Sequence, residues 1–420
     1  MQILPMRYKS KRSLNAFHPM VYCLAVLGIF GPLINQLYYL LPIQQIGPIS
    51  LLQVYRGSVL AFLIFILLKQ PLEKLKQHRL IVALCIVFHI FFIVWTFAQS
   101  AFGQDFSIEN AVLFFQISYW LCFWLCVCIF VNDKYSCRLL LTAFVIGASV
   151  NCLFVFWGYT TGSSLVATYE SQAKASFGVQ GSSGKGMSGY MIVAGFLAAY
   201  LWRNRFPWFS TLLACFLIGG AILTYDRSAQ VALGLAVVWL AIWRSCMTPN
   251  RKDVRFCERL IIMGGFGLIT FFYTVGLEGL KNRWADITTE SAGSGRAILY
   301  LESIDWFSKV DAEGLLLGVG QQGMIDSIEQ RVGAGKYTHS DFFDMLFIGG
   351  ISGILVYGFL WIVMLSHFRN ISKFTVEFAI MGSVIAVYTV MSLITGQLGA
   401  ATAMATYTGS LTCLNRLSKN

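Results

Sequence analysis

The sequence predicts an all-α polytopic membrane protein with about twelve transmembrane helices, a count set by the length a helix needs to cross a bilayer. Three observations carry that expectation. Of 420 residues, 57% are hydrophobic and only 12% charged, and the mean hydropathy is +0.66 over the whole length. A globular domain carries about 25% charged residues. Apolar windows able to cross ~30 Å of hydrocarbon at ~1.5 Å per residue recur along the entire chain. Lysine and arginine also segregate between alternate connections, the pattern by which short loops are sorted across a bilayer.

This composition excludes disordered, collagenous and coiled-coil chains. A net charge of +11 would suggest a nucleic-acid partner in a soluble chain. Here it is a topology signal, and no nucleic-acid partner is expected.

The first window, near 19 to 41, follows the basic tail Arg7, Lys9, Lys11 and Arg12. It is too long for the core of a signal peptide and no small-residue cleavage site follows, so it is expected to remain as the first helix. Further windows lie near 50 to 68, 80 to 98, 110 to 131, 138 to 158, 187 to 202, 207 to 224, 228 to 243, 260 to 278, 342 to 366, 374 to 394 and 398 to 413. With the N terminus inside, the cytoplasmic segments hold 21 of the 31 basic residues and the outer ones nine, leaving Arg56 within a span. Both termini are therefore expected to be cytoplasmic, and residues 1–420 are expected to form a single integral membrane domain. Internal repeats of the kind many transporters carry are not visible. Two outer connections are long, residues 159–186 and residues 279–341 between predicted helices 9 and 10. The eleven cysteines all fall in spans or on the cytoplasmic side, so no disulfide is expected.

Charges within spans are expensive and usually functional. Apart from Arg56 and His89 the midplane is nearly empty of ionisable groups, which argues against an ion-driven carrier and for chemistry at the outer surface. His89, with no carboxylate in its span, is expected to be a hydrogen-bonded packing residue. Only His339 faces outside, at the end of the long connection, where an imidazole can titrate near neutral pH. Arg227, in Thr224-Tyr225-Asp226-Arg227-Ser228-Ala229, starts a span at the outer surface. Its planar fork suits phosphate, although a pair with Asp226 or a headgroup anchor is also open. Arg296 opens an amphipathic stretch through Ile298, Leu299, Leu301, Ile304 and Trp306, and the glycines of Leu317-Gly318-Val319-Gly320 read as turn residues. Lys174 and Lys185 are the only bases of the glycine- and serine-rich 159–186 loop, either solvated or guiding an anionic lipid. There is no Asp-x-Asp pair, Asp311-Ala312-Glu313 being the nearest approach and expected in a turn. Nor is there a zinc-binding His-Glu-x-x-His, a Walker loop or a Gly-x-Ser-x-Gly elbow. No metal or cofactor is expected.

His339 and Ser340, nine further residues, then Gly350, Ile351, Ser352 and Gly353 satisfy a pattern of His, a small polar residue, nine positions, Gly, two positions and Gly. This resembles the integral membrane O-antigen ligases and Wzy-type polymerases of bacterial surface polysaccharides, which share one superfamily. Three further features occur in the family's order: Lys174-Ala175-Ser176-Phe177-Gly178 before a span, Arg227 at an outer helix end, and Gly295-Arg296 in the large outer loop. The resemblance covers roughly residues 170–370, and lysine stands at 174 where relatives often carry arginine.

The resemblance implies a metal-independent, inverting glycosyltransferase of GT-C-like fold with a large, partly helical periplasmic loop. It would act in the bacterial inner membrane with its active site periplasmic. The donor would be an undecaprenyl-diphosphate-linked glycan and the acceptor a lipid-linked repeat unit or the lipid A core, among membrane lipids and with a chain-length regulator as a further partner. Arg227 and Arg296, with Lys174 and Lys185 beside them, would bind the diphosphate, and His339 would take the acceptor's proton. The favoured activity is polymerisation of repeat units, the alternatives being ligation to lipid A core and a lipid-linked oligosaccharide flippase.

Overall fold

The computed structural model describes residues 18–38, 45–46, 49–101, 108–161, 184–224, 226–247, 251–274, 296–332, 339–369 and 371–419. Among the described residues the regular structure is helical except for one antiparallel hairpin, β1 (Gln45–Ile46) with β2 (Ile49–Ser50), in which Gln45 opposes Ser50. The helices are α1 (Pro19–Tyr38), α2 (Leu51–Leu68), α3 (Leu72–Gln77), α4 (Arg79–Ala101), α5 (Ile108–Phe130), α6 (Lys134–Thr161), α7 (Gly184–Trp202), α8 (Pro207–Leu223), α9 (Arg227–Cys246) and α10 (Arg251–Thr274). There follow α11 (Arg296–Lys309), α12 (Ala312–Leu317), α13 (Gly320–Val332), α14 (Asp341–Ser366), α15 (Val376–Thr395) and α16 (Ala401–Lys419).

Each of the twelve windows expected to span the membrane overlaps a helix, those near 19 to 41 and 260 to 278 running on beyond the described residues. Among the described residues seven of these helices, α2, α4, α5, α6, α9, α14 and α15, are long and apolar enough to cross a bilayer. Pro19–Ile34, Met187–Trp202 and Pro207–Leu223 are apolar but shorter. The chain is thus a helical polytopic membrane protein. α16 has a low apolar content for a physical reason: it is buried among other helices, so it faces protein instead of lipid. Its hydroxyls bond back along the helix, Thr406 to the Thr402 carbonyl at 3.1 Å and Thr408 to Met404 at 2.8 Å, which satisfies them without water. Large apolar side chains such as Phe30, Ile90, Leu212, Ile242 and Leu355 are exposed on the bundle's flanks, as a lipid-facing surface requires.

The helix ends are fixed by local chemistry. Ser50 and Gln53 form a reciprocal capping box on α2. Asp226 caps α9 by accepting the Ser228 N–H, and Thr375 caps α15 through Phe378. Two indoles lock α9 to α15, Trp239 donating to the Ala379 carbonyl at 2.9 Å and Trp243 to Lys373 at 2.7 Å. At the same end Arg416 donates to the Val127, Cys128 and Val131 carbonyls, placing a cation on the unsatisfied C-terminal end of α5. His89 Nδ1 sits 2.6 Å from the Cys85 carbonyl with its ring edge-on to Phe114, the hydrogen-bonded packing position expected of it.

One element departs from the sequence reading. A single span is predicted over 342–366, but α14 breaks at Gly350, whose φ is 58° and ψ −145°. The arms 341–349 and 351–366 fold back beside each other. Asp341, before the break, and Tyr357, after it, both meet the Ser392 hydroxyl at 2.6 Å. The Met345 carbonyl also lies against Gly353, although eight residues of continuous helix would separate them by ~12 Å.

The cause is non-local. A Cβ on Gly350 would come within 2.5 Å of the Leu315 carbonyl and 2.8 Å of the Gly318 N, so α12 and the turn after it lie directly on the break. The Val319 N–H donates to the Phe347 carbonyl at 2.7 Å. Leu299, Trp306, Met324 and Ile328, from α11 and α13, make a small separate core with Phe347, whose ring stacks on Trp306 at 4.3 Å. The first arm of α14 therefore belongs to the cluster built by the 296–332 helices as much as to the main bundle.

Candidate active site

His339 is the only non-glycine among the described residues with a left-handed backbone, at φ 61°. That conformation is costly for a side chain with a Cβ and persists where the surroundings impose it, most often at functional sites. Ser340 and Asp341, which follow it, are buried. Against them lies the 396–400 turn joining α15 to α16. Gly396 is also left-handed, at φ 69°, and a Cβ there would lie 3.4 Å from Asp341 Oδ1, 3.5 Å from Asp344 Oδ2 and 3.7 Å from the His339 carbonyl carbon. No other residue type fits that position without strain.

The turn is recessed. Trp120 donates its indole N–H to the Leu398 carbonyl at 3.1 Å. The Gln116 carboxamide donates to the Gly399 carbonyl at 2.9 Å and accepts from the Arg56 guanidinium at 3.1 Å. Gln116 and Trp120 stand eight and twelve residues into α5, so the turn lies about 12–18 Å below the start of that helix. Arg56, the one basic residue in a predicted span, thus reaches the level of this turn.

Several helices begin at this end. The Ser188 hydroxyl of α7 donates to Asp226 at 2.7 Å, just before α9. Tyr407 of α16 lies within electrostatic reach of both Asp226, just before α9, and Asp341, at the start of α14. On α11, Tyr300 donates to the Leu393 carbonyl at 3.1 Å and stacks on Phe343 at 4.9 Å. Helix starts carry partial positive charge and unsatisfied N–H groups, which favour an anion nearby.

The residues singled out in the sequence fall as follows. Arg227 is the first residue of α9, Arg296 the first of α11 and Lys185 the second of α7, all at the His339 end. Their side chains lie outside the described residues, as does Lys174 entirely. Asp226 caps its helix with one carboxylate oxygen and accepts Ser188 with the other. Asp311 caps α12, accepting the Gly314 N–H at 2.7 Å, which accounts for the Asp311-Ala312-Glu313 turn. Gly318 and Gly320 are left-handed turn residues, and the amphipathic stretch beginning at Arg296 is helix α11. Asp341, Ser392, Gly396 and Gln397 did not stand out in the sequence. A carboxylate beside the histidine at a span's outer edge was the one available signal.

The family model described as O-antigen ligase matches residues 211–358. No curated protein matches the chain. The matched segment, roughly a third of the length, falls inside the 170–370 stretch and contains Arg227, Arg296, His339 and both motif glycines. Over residues 211–358 the chain is similar to the O-antigen ligase family.

Proposed function

We propose that the protein is a metal-independent, inverting glycosyltransferase that polymerises undecaprenyl-diphosphate-linked repeat units at the periplasmic face of the bacterial inner membrane. Its twelve helices span in a GT-C-like arrangement with both termini cytoplasmic, and the 159–186 and 279–341 segments are periplasmic. The observation that carries this reading is the left-handed His339, held beside Gly396 at the end where α7, α9 and α14 begin.

The chemistry follows from that placement. His339 takes the proton from the acceptor sugar's hydroxyl, and the oxygen attacks the anomeric carbon of the donor from the face opposite the diphosphate. The carbon–oxygen bond to the diphosphate breaks, and undecaprenyl diphosphate leaves with the electron pair. Arg227 and Arg296 offset the negative charge that develops there, an effect strongest where water is scarce. Lys174 and Lys185 help hold the anionic headgroup.

The family description, O-antigen ligase, favours a second reading, ligation of the finished glycan to lipid A core. Donor chemistry is the same and only the acceptor differs. The deciding test is the lipopolysaccharide gel profile of a strain lacking the gene, complemented with wild type, Arg227→Ala or His339→Ala. A core bearing one repeat unit supports polymerisation, and a bare core with long glycan still on its lipid carrier supports ligation. An unchanged ladder removes both O-antigen readings.

A further inference from the structure

Asp341 is 2% exposed, yet none of the bonds described for its carboxylate serves its own helix. Oδ1 accepts the Gln397 N–H at 2.6 Å and the Leu398 N–H at 2.9 Å. Oδ2 accepts the Ser392 hydroxyl at 2.6 Å, which lies 2.6 Å from the Tyr357 hydroxyl. An enclosed carboxylate is tolerated only when its lone pairs are used in this way. All three bonds cross from the first turn of α14 to the end of α15 and the 396–400 turn. That turn is held independently by Trp120 and Gln116 of α5.

Two residues earlier the backbone of His339 is in its costly left-handed conformation, against the left-handed Gly396. Something must hold the two segments in register. Asp341 is the side chain that does so, because its bonds to Gln397 and Leu398 grip the two residues directly after Gly396. We propose that Asp341 is a positioning residue for His339, bolting the histidine's backbone to the 396–400 turn and so fixing where the imidazole stands. This rests on the reading of His339 as the base. Asp341 itself touches neither substrate nor reacting atoms.

The test uses the full chain in lipid nanodiscs with the polyprenyl-diphosphate-linked repeat unit extracted from the host membrane, following released polyprenyl diphosphate. Asp341→Ala loses all three bonds, and kcat is expected to fall about 100-fold, the scale of a misplaced catalytic group, with the donor KM unchanged within about twofold. Asp341→Asn keeps an oxygen for the two amides and is expected to recover about tenfold of that loss. A structural role would instead lower the amount of folded protein and leave the kcat of the remainder intact. If Asp341→Ala does not accumulate, Ser392→Ala and Asp341→Asn carry the test. Wild-type kcat in both, or a raised KM with kcat untouched, would overturn the proposal. Full activity in His339→Asn would instead overturn the base reading beneath it.

Discussion

The Trp95 indole donates its N–H to the Leu317 carbonyl at 3.1 Å, so α4 holds the end of α12 where that short helix lies on the Gly350 break. A backbone segment from the α10–α14 connection is thereby seated within the bundle, and the motif glycine Gly350 is what makes room for it. Gly350→Ala adds a Cβ 2.5 Å from the Leu315 carbonyl at a left-handed residue. A loss of about 2–4 kcal/mol is expected from overpacking and backbone strain together. It would register as a lowered melting temperature in detergent and faster proteolysis between 310 and 340. Unchanged protease resistance would contradict the seating.

At His339, backbone and imidazole are separable. Asparagine tolerates a left-handed backbone better than alanine does. His339→Asn is therefore expected to fold as wild type and His339→Ala to lose about 1 kcal/mol. Both should lower turnover by about 10²–10⁴-fold, the usual worth of a general base, while the lipid-linked donor still binds. Thermal melting beside a turnover assay checks both halves.

Arg227→Ala and Arg296→Ala are expected to act on donor engagement itself. A charge-assisted bond to phosphate contributes about 1.5–3 kcal/mol, so each variant should weaken donor affinity by about 10- to 150-fold. Arg227→Lys should recover only part, because an ammonium lacks the bidentate fork. Donor binding at equilibrium, with no acceptor present, is the measurement.

At the opposite end His367 is half-buried after α14, with Nε2 3.3 Å from Thr412 and its ring 5.6 Å from Trp124. Burial pushes its imidazole down to about 4; Arg416 and Lys419 add to this and the Val363 and Met364 carbonyls oppose it. The unfolded chain, near 6.5, binds a proton that the folded chain refuses. Stability should thus fall as pH drops from about 6.5 to about 4 and stay reduced below. Melting curves of wild type and His367→Gln between pH 7.5 and pH 4.5 test this: the variant should lose less over that window.

What was legible in the sequence was what is local. Hydropathy windows found the helices because each helix satisfies its own backbone, and spacing found α11 because Ile298 to Trp306 repeat at helical period. The motif was readable as a pattern from His339 to Gly353, but the reason for Gly350 was not, since it lies in Leu315 and Gly318 of another segment. Asp341 was hidden likewise: Ser392, Gln397 and Leu398 stand 51 to 57 residues away in sequence. Lys174, Lys185, Arg227 and Arg296 rest on resemblance and chain position.

The division of α14 at Gly350 has a consequence for anyone building chimaeras between relatives. A graft that swaps the long connection at the apparent membrane border, before Asp341, would cut between Trp306 and the Phe347 ring it stacks on. Host and donor halves of one small core would then have to match by chance. Moving the junction to the glycine pair keeps that core whole but imports a foreign Asp341, so the recipient's Ser392 and Gly396-Gln397-Leu398 must travel with it. The natural unit of exchange is discontinuous in sequence: the helices from 296 to 349 together with the short bend at 392–398.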